Sequence, residues 1–293
     1  MRTRKRFPTT GRDRIAKILV TGAGGLLGRA CVRLAAERHD CVGLSRQELD
    51  VTDRSAVEKA LERTNPDAVL HCAAYTDVDG AEWDPARAMA VNADGTEWVA
   101  RAARRARAAM LYVSTDYVFD GEKQTPYIEE DATHPLSKYA ESKLEGERRI
   151  ASVFSEGYLI IRSGWLYGSG KGFVDWAVRR LEAGDVLRAV ADQVGSPTWV
   201  NDLAEALLVL LEKRLSGTFH VVNPGETDWL GAARVIAEQL GAPGSRVEAV
   251  SMADLGRPAP RPPYSALNVA KFEGATGRRL RSWQEALRSY LNK

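Results

Sequence analysis

The sequence is poor in the residues that build covalent or metal frameworks. Its 293 residues include only three cysteines and four histidines. Cys31, Cys41 and Cys72 are too few and too widely spaced for a disulfide framework or a zinc site. Each sits in an apolar run, the setting of buried thiols kept reduced in a cytoplasm. No segment approaches the roughly 18 consecutive apolar residues of a membrane span. The charged N-terminus is not followed by the apolar stretch of a secretory signal. A large net charge is also missing, since 41 basic and 39 acidic residues leave +2. That balance conceals an uneven distribution. Residues 1–17 hold seven basic residues and one acid, which leaves 34 basic and 38 acidic residues in 18–293. Residues 1–16 therefore read as a basic, solvated tail, and the mildly acidic remainder argues against nucleic-acid binding. The hydrophobic fraction of 44% and the charged fraction of 27% exclude a disordered or fibrous chain.

What is present is an alternation of strand and helix patterns. Apolar runs at 17–21, 41–44, 68–72, 110–114 and 158–162 predict strands. Helical spacing at 26–38, 55–64, 93–109 and 136–151 predicts the helices between them. Near-continuous apolar strands separated by helices imply an α/β fold with a doubly wound parallel sheet covered on both faces. Beyond residue 168 the rhythm loosens. Helices are expected at 172–183, 201–213, 228–240 and 283–292, and short strands near 186–190, 218–222 and 246–250. A proline-rich stretch, 257–263, reads as a rigid loop shaping a pocket.

Gly22-Ala-Gly-Gly25-Leu26-Leu27-Gly28 joins the first strand to the first helix. Glycines at this junction let backbone approach a pyrophosphate, and the helix N-terminus offers unpaired N–H groups. The second strand ends Leu44-Ser45-Arg46, with no acid placed to bind a ribose 2′-hydroxyl. Arg46 instead suits a 2′-phosphate, which favours NADPH and leaves NADH as the alternative. Asp50 and Val51 fall where the chain can pass the adenine, and Cys72, Ala73 and Ala74 close the third strand with small residues fit to face a cofactor.

Tyr139 and Lys143 stand four residues apart on a predicted helix, hence on one face. A phenol with a pKa near 10 is poorly matched to neutral pH, and a neighbouring ammonium is expected to lower it. Ser114 and Thr115 end the fourth strand, where open α/β sheets bind ligands, and the Thr115 hydroxyl could hold a substrate carbonyl.

The glycine loop, Ser114-Thr-Asp-Tyr-Val-Phe119 and Tyr139-x-x-x-Lys143 together resemble the extended short-chain dehydrogenases/reductases. More closely, the chain resembles the dTDP-4-dehydrorhamnose reductases across nearly all of 17–293. That match includes Leu49-Asp-Val-Thr-Asp53, Cys72–Asp79, Ala90-Val-Asn92, Trp165-Leu-Tyr-Gly168, Asp192–Thr198 and Arg261–Leu267. The resemblance implies a Rossmann-like cofactor domain over 17–168, to which parts of the later chain could return. Residues 169–293 would mainly form a smaller mixed α/β domain for the sugar nucleotide. It implies NADPH-dependent reduction of a 4-keto-6-deoxy sugar nucleotide to dTDP-L-rhamnose by a cytoplasmic enzyme, with a homodimer left open. Tyr139 would give the proton and Lys143 would bind the nicotinamide ribose. Thr115, Asp116 and Tyr117 would hold the sugar, Trp165 would pack on it, and Arg261, from its charge, would meet the diphosphate.

Three positions depart from the family pattern. His71 stands in place of Asn, Gly80 in place of Lys, and Ala30 where some members carry a Glu that helps bind a divalent ion between subunits, so no metal bridge is expected. A 4,6-dehydratase is disfavoured, because Tyr117 follows Asp116 where elimination needs Asp-Glu. A reductase of another dTDP-4-keto-deoxysugar remains an alternative. So does a non-catalytic subunit resembling the methionine adenosyltransferase beta subunit, against which Thr115, Tyr139 and Lys143 speak.

Overall fold

The computed structural model describes residues 15–168, 170 and 172–292. All but the last two residues of the predicted basic tail lie outside that range. The first half alternates strand and helix. It runs β1 (Lys17–Thr21), α1 (Leu26–Ala36), β2 (Asp40–Leu44), α2 (Arg54–Thr64) and β3 (Ala68–His71). Two short helices, α3 (Gly80–Trp83) and α4 (Pro85–Met89), lead through a π turn (Ala90–Asp94) into α5 (Gly95–Arg105). Then come β4 (Ala109–Val113), α6 (Lys138–Val153) and β5 (Tyr158–Arg162). The rest supplies β6 (Leu166–Tyr167), α7 (Phe173–Glu182), β7 (Leu187–Val190), β8 (Val194–Gly195), β9 (Thr198–Trp199), α8 (Val200–Glu212), β10 (Gly217–His220), β11 (Thr227–Asp228), α9 (Trp229–Gln239), β12 (Val247–Val250), α10 (Ala270–Thr276) and α11 (Trp283–Leu291).

Six strands form one parallel sheet in the order β10-β5-β4-β3-β1-β2. The alternation of side chains along each strand sorts the core onto the two faces. Ile18, Val20, Leu70, Leu111 and Ile161 pack with α1 and α8. Leu19, Val69, Met110 and Tyr112 pack with Val57 and Leu61 of α2, Val99 and Ala103 of α5, and Ile150 of α6. The order in which strands are added reverses about β1, whose neighbours are β2 and β3. The carboxyl ends beside that switch point are where such sheets bind ligands.

Local chemistry sets the boundaries. Helix α6 begins at Lys138 because the Ser137 hydroxyl accepts from the Ala140 N–H at 3.2 Å, two residues later than the spacing predicts. Asp84 caps α4 with Pro85 at its first position, so helix starts well before 93. The intervening π turn has no signal in its alanine-rich sequence. It places Asn92 so that its amide oxygen accepts from the Tyr75 N–H at 2.8 Å and its amide nitrogen donates to Ser142 Oγ at 2.9 Å.

Helix α8 and strand β10 return to the large sheet: β10 pairs with β5, and α8 lies against α1. No described helix is long and apolar enough to cross a membrane. Leu207 of α8 is fully buried in the core that this return closes. Leu207→Ala should lower the unfolding free energy by about 2–5 kcal/mol in urea while the transition stays single by every probe. A loss confined to a separate second transition would contradict this shared core.

Candidate active site

A cleft of about 1090 Å³ runs along the carboxyl ends of β1 to β5. It is lined at one end by Gly22, Gly25, Leu26, Leu27, Gly28, Ser45, Arg46, Asp50 and Val51. Cys72, Ala73 and Ala74 follow, and Thr115, Asp116, Tyr117, Tyr139, Lys143 and Trp165 line the other end. These are all the sequence-predicted site residues except Arg261. Arg261, expected from its charge to meet a diphosphate, is placed beside Asp79 rather than in the cleft lining. Its guanidinium donates to both carboxylate oxygens of Asp79, at 2.9 and 3.0 Å, and to the Ala259 carbonyl at 2.8 Å, outside the cleft lining.

The glycine loop is shaped for close approach. Gly22 has φ +69°, and a Cβ there would lie 2.6 Å from the Ala73 nitrogen. A Cβ on Gly28 would lie 2.1 Å from the Gly22 carbonyl oxygen. No side chain caps α1, so its first-turn N–H groups are left to a ligand. Arg46 is exposed, with no hydrogen bond or ion pair to another described residue. This end fits a dinucleotide: glycine backbone for the pyrophosphate, and a free guanidinium at the end of β2 for a 2′-phosphate.

At the other end, Tyr139, Lys143 and Glu147 repeat every four residues along α6. Lys143 is 2% exposed, its ammonium donates to the Val113 carbonyl at 2.7 Å, and it lies 4.1 Å from the centre of the Tyr112 ring. Burial pushes the Lys143 ammonium down to about 7, and the nearby Glu147 carboxylate opposes that fall. Burial likewise raises the Tyr139 phenol, with the Thr115 hydroxyl pulling the other way. The spacing predicts that Lys143 lowers the Tyr139 pKa; in the structure the loss of solvent around the phenol dominates. His71, in the place of an expected Asn, is buried and held neutral, its pKa pushed down to about 3 by burial. The Thr96 hydroxyl spends its proton on the Asn92 carbonyl, so His71 Nε2–H donates to Thr96 and its Nδ1 accepts from Thr21.

Several site residues carry no signal strong enough to find in the sequence. Trp229 lines the cleft and stacks on Trp165 at 3.8 Å with 6° between the rings. Trp165 itself takes φ +53°, a backbone rare for so large a residue. Ser265 donates to Asp116 Oδ2 at 2.6 Å across 149 residues of chain, and Gln193 donates to the Tyr117 hydroxyl at 3.0 Å. Both Gln193 and Ser265 lie within motifs read from the sequence, but nothing in those motifs says what they touch. Glu147 was findable, as the next helical turn after Lys143.

Burial raises the Asp116 carboxyl to about 7, against the opposing hydrogen bonds from Ser265 and Thr115. The unfolded chain releases this proton near pH 3.9 and the folded chain only near 7. Between those values the folded state binds more protons, so Asp116 makes stability fall as pH rises. Asp116→Asn should remove that slope in urea unfolding measured from pH 4 to 7; an unchanged slope would refute the burial of an ionisable carboxyl here.

Comparison with known proteins identifies the family. Residues 16–293 match the RmlD substrate binding domain. The chain is 44% identical over 287 residues to a dTDP-4-dehydrorhamnose reductase of Mycobacterium tuberculosis, covering 95% of this chain and 93% of that protein. It is 39% identical over 274 residues to a Streptomyces antibioticus protein named "Probable dTDP-4,6-dihydroxy-2-methyloxan-3-one 4-ketoreductase", covering 92% of each. Among solved structures, the dTDP-4-dehydrorhamnose reductase of Bacillus anthracis in complex with NADP superposes with a TM-score of 0.91 at 34% identity, over 95% of this chain and 99% of that one. The chain belongs to the RmlD substrate-binding domain family.

Proposed function

We propose that the protein reduces the 4-keto group of dTDP-4-dehydro-L-rhamnose, giving dTDP-L-rhamnose, with NADPH as reductant. The observation that carries this reading is the continuity of one cleft. Its glycine-lined end suits a dinucleotide, and its other end gathers a phenol, an ammonium and a hydroxyl on rigid elements. The M. tuberculosis relative is named for this activity, and the B. anthracis structure holds NADP.

The first turn of α1 and the Gly22–Gly28 loop hold the pyrophosphate. Arg46 pairs with the 2′-phosphate, and Ser45, Asp50, Val51, Cys72, Ala73 and Ala74 border the adenosine side. A bound nicotinamide supplies the hydride to the sugar C4. Thr115 and Asp116 hold the sugar, with Tyr117 beside them and the Trp165 indole packing on the ring. Tyr139, kept protonated by burial, gives its proton to the 4-oxygen as that oxygen gains charge. The phenolate left behind lies one helical turn from the Lys143 ammonium, which stabilises it and binds the nicotinamide ribose. The cytoplasm is the expected compartment, since it keeps the free thiols Cys31, Cys41 and Cys72 reduced.

The S. antibioticus relative carries a name for a different dTDP-keto sugar, so a related 4-keto-deoxysugar is the second reading for the substrate. Purified protein should oxidise NADPH on addition of dTDP-4-dehydrorhamnose, followed at 340 nm. Tyr139→Phe should cut kcat by about 10²–10⁴-fold; near wild-type turnover would sink the proton-donor role. Arg46→Ala should raise the KM for NADPH about tenfold and leave that for NADH unchanged. Equal losses with both cofactors would show that Arg46 does not read the phosphate.

A further inference from the structure

The sugar end of the cleft holds a hydrogen-bond chain with a fixed direction. The indole nitrogen of Trp229 donates to Gln193 Oε1 at 3.3 Å, and Gln193 Nε2 donates to the Tyr117 hydroxyl at 3.0 Å. An indole N–H can only donate. It therefore binds the carbonyl end of the Gln193 amide and leaves the NH₂ end to face Tyr117. Gln193 is 2% exposed, so water does not compete for either end. The Tyr117 oxygen thus accepts from Gln193, and its single proton must point elsewhere. No described side chain takes that proton. The neighbouring Asp116 carboxylate is occupied by Ser265 and Thr115. Tyr117 lines the cleft, and burial raises its phenol to about 12, which keeps the proton in place at neutral pH.

We propose that Gln193 is a positioning residue that fixes Tyr117 as a hydrogen-bond donor, so that the cleft selects an acceptor oxygen of the bound sugar nucleotide at this point. The inference rests on the proposed sugar-nucleotide reading. Gln193 reaches this place because the residue that follows it is tied down by two backbone bonds. The Val194 N–H donates to the Pro263 carbonyl at 2.8 Å, and the Ser265 N–H donates back to the Val194 carbonyl at 2.8 Å. Gly195 next to it leaves room for the Trp165 ring, which a Cβ would meet at 2.4 Å. One segment therefore sets both the stacked indoles and the direction of the Tyr117 hydroxyl.

Titration calorimetry of the full chain with dTDP-L-rhamnose, with NADP⁺ present, tests this. A Gln193→Glu carboxylate accepts from both Trp229 and Tyr117 and draws the Tyr117 proton out of the cleft. It should weaken sugar-nucleotide binding about tenfold, and Tyr117→Phe should do the same. The double variant should be no more than about twofold weaker than either single one, because both remove the same donor. NADP⁺ affinity should stay unchanged in all three, which a general disturbance of the fold would not allow. Should Gln193→Glu fail to fold, Trp229→Phe keeps a ring but frees the amide to turn over, and should weaken binding about threefold. Wild-type binding by Gln193→Glu, or losses that multiply in the double variant, would overturn the inference; with Gln193→Glu unfolded, wild-type binding by Trp229→Phe would do so. A wild-type chain that binds no dTDP-L-rhamnose would instead overturn the sugar-nucleotide reading on which the inference rests.

Discussion

The chemical end of this molecule depends on one buried ion pair. Arg162 at the end of β5 donates to both carboxylate oxygens of Glu147 on α6, at 3.0 and 2.8 Å, and Ser114 at the end of β4 donates to the same carboxylate at 2.5 Å. The two side chains are 8% and 6% exposed. Leaving either partner alone in that setting costs about 3–5 kcal/mol, so the helix and the two strand ends are held as one unit. Everything that touches chemistry hangs from that unit. Lys143 is one turn from Glu147 and Tyr139 one turn further, so a fixed Glu147 fixes the direction of both toward the strand ends. Arg162 also lies 5.2 Å over Phe119, which stacks on Tyr127 at 4.1 Å, and this carries the anchoring into the loop after Thr115.

The charge arithmetic gains meaning from this arrangement. Outside residues 1–17 the chain is mildly acidic, yet the ligands of the proposed reaction are anions. Attraction by bulk charge is therefore not the device. The cleft works through local features: the uncapped first turn of α1, a free Arg46, and an ammonium whose burial Glu147 partly offsets. Arg261, the remaining cation expected to serve a ligand, fastens the proline-rich segment to Asp79.

Much of this was legible in the sequence, and the reason is locality. The parallel sheet shows as apolar runs, because strands covered on both faces carry no polar alternation. The phosphate loop shows because glycines cluster where backbone must come close, as at Gly22 and Gly28. Tyr139 and Lys143 show because helical periodicity turns a spacing of four into one face. What stayed hidden depends on contacts made across the chain. Ser265 reaches Asp116 and Trp229 reaches Trp165 only after folding. A return of later chain to the first sheet is expected from the resemblance, but that α8 and β10 make it shows only in the packing of α8 on α1 and the pairing of β10 with β5. The electrostatics of Tyr139 also run against expectation, since a spacing reports proximity of Lys143 but not the burial of the phenol that outweighs it.

The central claim is that the two ends of the cleft cooperate in one hydride transfer to a sugar carbon. Turnover of dTDP-4-dehydro-L-rhamnose with NADPH deuterated at both C4 positions of the nicotinamide tests it most directly, read by mass and proton NMR of the sugar product. The account predicts one deuterium, carried at C4 of dTDP-L-rhamnose, for each NADPH consumed. A product without deuterium, or a sugar recovered with no NADPH consumed, would contradict it.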